Sequence, residues 1–395
     1  MNASQNDAVP MRFGEGKISG YLAAFLGMMG LGGVLCFHFP WLLTTPELTS
    51  RLSVETLRRL LLAVLVFAFV LGLTNFLIGR HRALGYAGML AATAAVLLGG
   101  ATVQPSGATA ISVAPLGLDS LLLGLLFNAL LFVPLERIFP LRREQLVLRA
   151  EWTTDLAYFA LANLLVSVLL TITTATGPLV FGWAVSPVVQ GWVRSQPMPV
   201  QFLEMLVVAD LAQYALHRRL HEHPLLWRIH AVHHSAVTMD WLAGSRLHLL
   251  EVMLTRTTVF VPLYLLGFSR EVLYTYIGFV SLHAVLIHAN LGVSFGPLRY
   301  LVATPLYHHW HHSADPAVVN RNYAVHLPVI DYLFGTYHQP ARFPDSYGLV
   351  GETVPPGLWA QHLYPLSGRR APTAPDHVAT DTPARRAGID EGRRR

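Results

Sequence analysis

Long stretches without Lys, Arg, Asp or Glu constrain this chain's fold more than any other feature. Residues 18–43, 60–79 and 83–104 carry none of these charges. Residues 116–135 and 154–175 hold only Asp119 and Asp155, near their ends. A helix of about 20 apolar residues crosses a bilayer, so each stretch is long enough to span. Of the 395 residues, 13% are charged, against about 25% in soluble domains. The first run exceeds the roughly 7–15 apolar residues of a secretory signal and reads as a retained span. These features predict a multi-pass integral membrane protein.

Loop charges predict its orientation. Arg12 and Lys17 precede the first span, Arg80 and Arg82 separate the second from the third, and Arg137, Arg142, Arg143 and Arg149 follow the fourth. The opposite side holds Arg51, Arg58 and Arg59. Basic loops stay in the cytoplasm, which puts the N-terminus there. With 154–175 crossing outward and 199–216 returning, the segment from His217 and the C-terminal tail are cytoplasmic too. The net charge of +5 comes from these loops and the tail, and it implies orientation, not nucleic-acid binding. The single cysteine, Cys36, lies inside a span, which excludes an intrachain disulfide and a thiolate metal site.

Composition divides the chain into three regions. Residues 1–135 are four spans. Residues 136–345 contain 15 of the 19 histidines. Residues 346–395 form a tail that is largely disordered, its end rich in Pro, Ala, Arg and Asp. Segments 257–268 and 272–289, interrupted by Pro262 and Gly267, fit either a membrane hairpin or two spans. No stretch alternates with the period of a strand, so the expected class is all-α.

Three histidine clusters carry the chemistry. In ADLAQYALHRRLH, Asp210, Tyr214, His217 and His221 fall within about 60° on one helix face, at roughly 100° per residue. Two imidazoles at i and i+4 can grip one metal, and Asp210 and Tyr214 lie behind them as possible partners. WRIHAVHHS contributes His230, His233 and His234, and PLYHHWHHS repeats the H-x-x-H-H spacing at His308, His311 and His312. His309 points about 100° away from His308 and lies off the shared face. A lone H-x-x-x-H is more often an ordinary polar face than a site, but eight histidines in three clusters are a metal centre. Eight ligands exceed one tetrahedral shell, so two ions are implied. Imidazole suits iron, zinc, copper and nickel. A zinc-protease H-E-x-x-H, a nucleophile elbow, a P-loop and a dinucleotide fingerprint are all missing.

The order H-x-x-x-H, H-x-x-H-H, H-x-x-H-H resembles the fatty acid hydroxylase superfamily, which includes sterol desaturases, sterol methyl oxidases and alkylglycerol monooxygenase. Arg246, His248 and Glu251 resemble its R-x-H-P-x-E element, and His288-Ala289-Asn290 its H-x-N. Asn322, Tyr323, Asp331 and Phe334-Gly335-Thr336 resemble its closing motif. Leu249, Ala324 and Ile330 depart from that pattern at positions that bind no metal. The resemblance covers about 150–340. It implies two iron ions (zinc in a purified form) held by His217, His221, His230, His233, His234, His308, His311 and His312, with His288 as a ninth ligand. Asp210, Tyr214, His248, Glu251, Asn290 and Asp331 are the implied supporting and catalytic residues.

The implied activity is that of an O2-dependent oxidoreductase that hydroxylates or desaturates a C–H bond of a lipid drawn from the bilayer. The sequence shows no haem, flavin or iron–sulfur domain, so a separate electron-transfer protein is expected, and Arg218, Arg219 and Arg228 suit an acidic one. Two other classes are a histidine-rich metal transporter and a non-catalytic lipid-binding scaffold. A transporter's ligands belong at the bilayer midplane, and a scaffold would be expected to have lost box histidines.

Overall fold

A computed structural model of the chain describes residues 16–45, 52–79, 82–105 and 115–367. These residues are helical, with no strand among them, as expected for the all-α class. Arg12, Arg51, Arg80 and the tail beyond 367 lie outside the described residues. Among the described residues, seven helices are long and apolar enough to cross a membrane.

Three of them form an N-terminal bundle: α1 (Lys17–His38), α2 (Val54–Ile78) and α3 (Arg82–Leu97). Without water to drive association inside a bilayer, small residues let helices approach closely. A Cβ on Gly27 would lie 2.6 Å from the Gly88 carbonyl oxygen, so α1 and α3 cross backbone to backbone there. Helix α1 ends at His38 because Phe39 precedes Pro40, and a residue before proline is driven out of the α region. Helix α4 (Leu118–Ile138) joins this bundle to the rest. Leu125 and Phe132 share a core with Phe25 and Met29 of α1 on one side and with Trp241 and Ala289 on the other.

The expected span at 154–175 is corrected: it is two helices, α5 (Trp152–Leu164) and α6 (Val166–Phe181). The Leu164 carbonyl leaves the helical ladder to accept the Gly117 N–H at 3.0 Å. That approach requires glycine, since a Cβ on Gly117 would meet the Asn163 carbonyl. The apolar span therefore starts later and runs Val166–Ala184.

After α7 (Pro187–Ser195), helix α8 (Met198–Glu222) is long, about 37 Å at 1.5 Å per residue. Pro224 ends it at His223 and starts α9 (Pro224–His234), turning the chain back beside α8. Helices α10 (Leu249–Leu266) and α11 (Arg270–His288) settle the second ambiguity in favour of two spans, each a full-length helix, joined by a tight turn. Gly267 closes α10 at φ 67°, a left-handed conformation that favours glycine. The hairpin turn is pinned by α7, whose Arg194 Nε donates to the Gly267 carbonyl at 2.7 Å. Both free ends of the hairpin, Glu251 and His288, therefore arrive on the side where α8 delivers His217.

A buried ionic cluster fixes that side. Arg149 donates to Asp240 at 2.8 and 2.9 Å and to Asp155 at 2.5 Å, while Arg246 donates to Asp155 at 2.5 Å and to Glu151 at 2.9 Å. Arg149 is thus an interior residue and does not act as a loop charge. The boundary of the tail also moves. Residues 346–367 pack on the histidine region: the Trp227 indole donates to Glu352 at 2.5 Å, and the one-turn helix Leu358–Leu363 lies against α9 and α5. Removing one member of a buried ion group leaves its partners uncompensated, at about 3–5 kcal/mol. Asp155→Asn should lower stability by that order, and chemical denaturation of the detergent-solubilised protein measures it. A loss below about 1 kcal/mol would show that the cluster is not held as described.

Candidate metal centre

Helix ends deliver the imidazoles. His217 and His221 lie in the last turns of α8, His230, His233 and His234 in the last turns of α9, and His288 at the end of α11. The short helix α12 (Pro305–His311) begins at Thr304, whose hydroxyl caps the Tyr307 N–H, and it supplies His308, His311 and His312. Nine histidines meet in two groups. In His217, His221, His230, His234 and His311, one nitrogen of each ring lies within 4.8 Å of all the others, and His233, His288, His308 and His312 form a second such set.

Hydrogen bonds on the outer nitrogens set the electronic character of the inner ones. His217 Nδ1–H donates to the Tyr323 carbonyl at 2.7 Å and His230 Nδ1–H to Glu251 Oε1 at 2.7 Å. In the other group His233 Nδ1–H donates to the Arg246 carbonyl at 3.2 Å and His288 Nδ1–H to that of Ala284 at 2.7 Å. A neutral ring with its proton on Nδ1 has only a lone pair on Nε2. Yet the Nε2 atoms of His217 and His230 are 3.0 Å apart, and those of His233 and His288 are 3.3 Å apart. Two lone pairs cannot hydrogen-bond each other, so each pair needs a cation. His221 Nε2 and His311 Nε2 are likewise buried without a partner, while their Nδ1 atoms face Asn320 Oδ1 and the Arg321 carbonyl. Oriented, neutral imidazoles are the state in which histidine binds metal.

Protonation cannot supply the cations. Burial, and after it the neighbouring imidazoles, holds His230, His233, His234, His308, His311 and His312 well below the usual imidazole range. An all-nitrogen donor set of this size fits two ions of the iron, zinc, copper or nickel type.

The other expected site residues take different places. Glu251 touches the centre through His230. Asp331 acts one step further out: it accepts the N–H groups of Tyr323 and Ala324 at 2.8 and 2.7 Å and so fixes the carbonyl that orients His217. Asp210 and Tyr214 share a face with His217, but their hydrogen bonds go elsewhere. Asp210 accepts the N–H groups of Val325, His326 and Leu327, and the Tyr214 hydroxyl pairs with Thr336 at 3.0 Å. Asn290 clamps Arg142 through its backbone N–H and C=O. His248 caps α10 and bonds the His362 carbonyl at 3.0 Å, away from both groups. His283 pairs with His326, and His309 with the Tyr347 hydroxyl, both outside the groups. Sequence reasoning missed the carbonyls of Tyr323, Arg321 and Ala284, which carry no side-chain signature. It also missed Gly244, where a Cβ would lie 2.7 Å from His288 Nδ1.

A cavity of about 830 Å³ opens from the centre into the helices. His217, His230, His233, His288 and His308 line one end of it, and Thr45 and Asp119 the other. Helix α4 measures its length: Glu136 accepts the Asn290 N–H at 2.9 Å beside the histidines, and Asp119 lies about 25 Å back along the same helix.

The geometry separates ligands from bystanders. His308→Ala, His311→Ala and His312→Ala should lose bound metal, whereas His309→Ala should keep it and lose only packing stability, about 0.5–3 kcal/mol. Elemental analysis of the four purified variants decides this, and metal loss confined to His309→Ala would reverse the assignment. The metal-free protein should also be acid-labile. Its buried histidines titrate below the roughly 6.5 of the unfolded chain, so above that pH neither state takes protons and the penalty is absent. Below it the unfolded chain binds protons that the folded one refuses, and stability falls as pH drops. Unfolding profiles between pH 8 and 5 check the sign, and a rise in stability toward pH 5 would contradict it.

The sequence profile of the fatty acid hydroxylase family matches residues 202–336, which hold all nine histidines. Ornithine lipid hydroxylase OlsE of Rhizobium tropici is 38% identical over 179 residues, covering 45% of this chain and 53% of that protein. Alkylglycerol monooxygenase of Danio rerio is 33% identical over 156 residues, 39% of this chain and 34% of that protein. Very-long-chain aldehyde decarbonylase GL1-4 of Oryza sativa subsp. indica is 27% identical over 171 residues, 40% of this chain and 26% of that protein. The chain thus spans about half or less of the length of these relatives. No solved structure matches it. Through residues 202–336 the chain is thus similar to the fatty acid hydroxylase family.

Proposed function

We propose that this protein is a membrane-bound, non-haem di-iron oxygenase that hydroxylates or desaturates a C–H bond of a lipid, using O2 and electrons from a separate protein. The observation that carries the proposal is the pairing of two imidazole groups, lone pairs facing inward, with one end of a long cavity between membrane helices. His217, His221, His230, His234 and His311 hold one ion, and His233, His288, His308 and His312 the other. When bound, a pair of irons supplies the O2 activation and oxidising power that an unactivated C–H bond requires. Four or five imidazoles per ion would leave room for further ligands at each.

The chain's own residues do the rest. Glu251 and the carbonyls of Tyr323, Arg246 and Ala284 keep the rings oriented. The apolar walls formed by Leu123, Phe159, Val252 and Val285 admit an acyl chain and keep water from the oxidised carbon. The histidines gather at one end of the cavity and do not line its length, which favours a reaction centre over a metal pathway. The basic loops support a cytoplasmic position for that end. Arg218 is paired with Glu222 and Arg228 with the Ser367 hydroxyl, which leaves exposed Arg219 as the cation for an acidic donor. In this scheme, residues 1–135 form the membrane bundle and 136–345 the catalytic region.

Iron-loaded protein supplied with a chemical reductant, extracted membrane lipids and 18O2 should yield a lipid product. A mass gain from 18O marks hydroxylation, and loss of two hydrogens without label marks desaturation. Equal turnover under argon would overturn the proposal.

A further inference from the structure

A cation stands inside the membrane part of the cavity with no ion-pair partner among the described residues. Arg256 lies on α10, within a candidate span, and lines the cavity together with Thr255 and Ser281. No ion pair or hydrogen bond engages its guanidinium among the described residues, whereas Arg149 and Arg246 are each held by two carboxylates. Neither carboxylate of the same cavity forms an ion pair with it, although Glu251 Oε2 is buried without a hydrogen-bond partner. Asp119 accepts from the Thr45 N–H and hydroxyl and from the Ser120 N–H, and Glu251 Oε1 accepts from His230. A charged side chain at membrane depth is costly and is kept where it meets a partner or a substrate. Five guanidinium N–H donors in a planar fork match a carboxylate or a phosphate.

We propose that Arg256 binds the anionic group, carboxylate or phosphate, of an amphiphilic lipid substrate inside the cavity. Arg256 is five residues from Glu251, about 7.5 Å along the helix. An anion held there puts the carbons within a few bonds of it beside the imidazoles. The apolar remainder has a path away from the centre, because a second cavity of about 180 Å³ shares the walls Leu52, Asp119 and Leu123 and continues among α1, α2 and α4. The N-terminal spans thereby form part of the substrate's pocket. This inference rests on the reading of the cavity as the lipid site.

Binding to the full chain in detergent tests it, followed by native mass spectrometry with oleate, oleyl phosphate, oleyl alcohol and inorganic phosphate. A charge-assisted hydrogen bond lost from a buried site weakens binding by about tenfold or more. Wild-type protein should bind at least one of the two anionic amphiphiles by that factor over oleyl alcohol, in both the metal-loaded and the metal-free protein. Arg256→Gln should abolish the preference and Arg256→Lys should retain part of it, with metal content unchanged in both. Inorganic phosphate alone should bind weakly, since it lacks the tail. Equal binding of alcohol and anions to wild type, or a preference that survives Arg256→Gln, would overturn the inference. So would a preference that vanishes on metal removal, because the ions would then be holding the anion. Tight, Arg256-dependent binding of inorganic phosphate would mean a free-anion site and overturn the lipid assignment. If Arg256→Gln does not fold, Arg256→Lys and the metal-free comparison still decide. Binding needs neither O2 nor electrons, so its failure leaves the oxygenase reading intact, and a failed 18O experiment leaves the binding result intact.

Discussion

Imidazole lone pairs facing one another across about 3 Å are the constraint on which the rest of the structure depends. Between His217 and His230, and again between His233 and His288, both rings have their proton committed outward, so nothing in the chain itself can sit between the inner nitrogens. Each unpaired buried polar atom costs about 1–3 kcal/mol. A protein that orders nine such rings therefore gives up stability unless cations recover it, and folding and metal binding become linked. The outer acceptors matter as much as the rings, because they choose which nitrogen is offered to the metal.

The surrounding fold serves that arrangement through helix ends. Pro224 reverses the chain so that two of the histidine clusters face each other across one turn, and Gly267 reverses it again so that Glu251 and His288 return together. The ionic cluster of Arg149, Arg246, Asp155, Asp240 and Glu151 does in the interior what disulfides cannot do in a chain with one cysteine. It locks the Arg246 carbonyl that holds His233. Asp210 and Asp331, each accepting several backbone N–H groups, fix the 322–327 loop whose Tyr323 carbonyl orients His217. Their contribution is to place backbone, one bond removed from the rings.

Much of this was legible in the sequence, for identifiable reasons. Charge-free runs declare membrane helices because a bilayer tolerates little else, and i, i+3 and i+4 spacings declare shared faces because the helical period is fixed. The same period placed His309 outside the cluster, and the structure pairs it with Tyr347. What failed to show was non-local. The break at Leu165 depends on the N–H of Gly117, the burial of Arg149 on Asp240, and the packing of 346–367 on Trp227 and His309. Backbone carbonyls as ring acceptors carry no residue code at all. His248 and Asn290 sit beside family motifs in the sequence, yet in space one caps a helix and the other clamps a loop.

Where metal resides decides the role of the nine histidines. An experimental structure of iron-loaded protein, with anomalous diffraction collected at the iron edge, locates the ions directly. Two peaks are expected, one enclosed by His217, His221, His230, His234 and His311 and the other by His233, His288, His308 and His312. A single peak, or iron bound outside these two sets, would contradict this assignment.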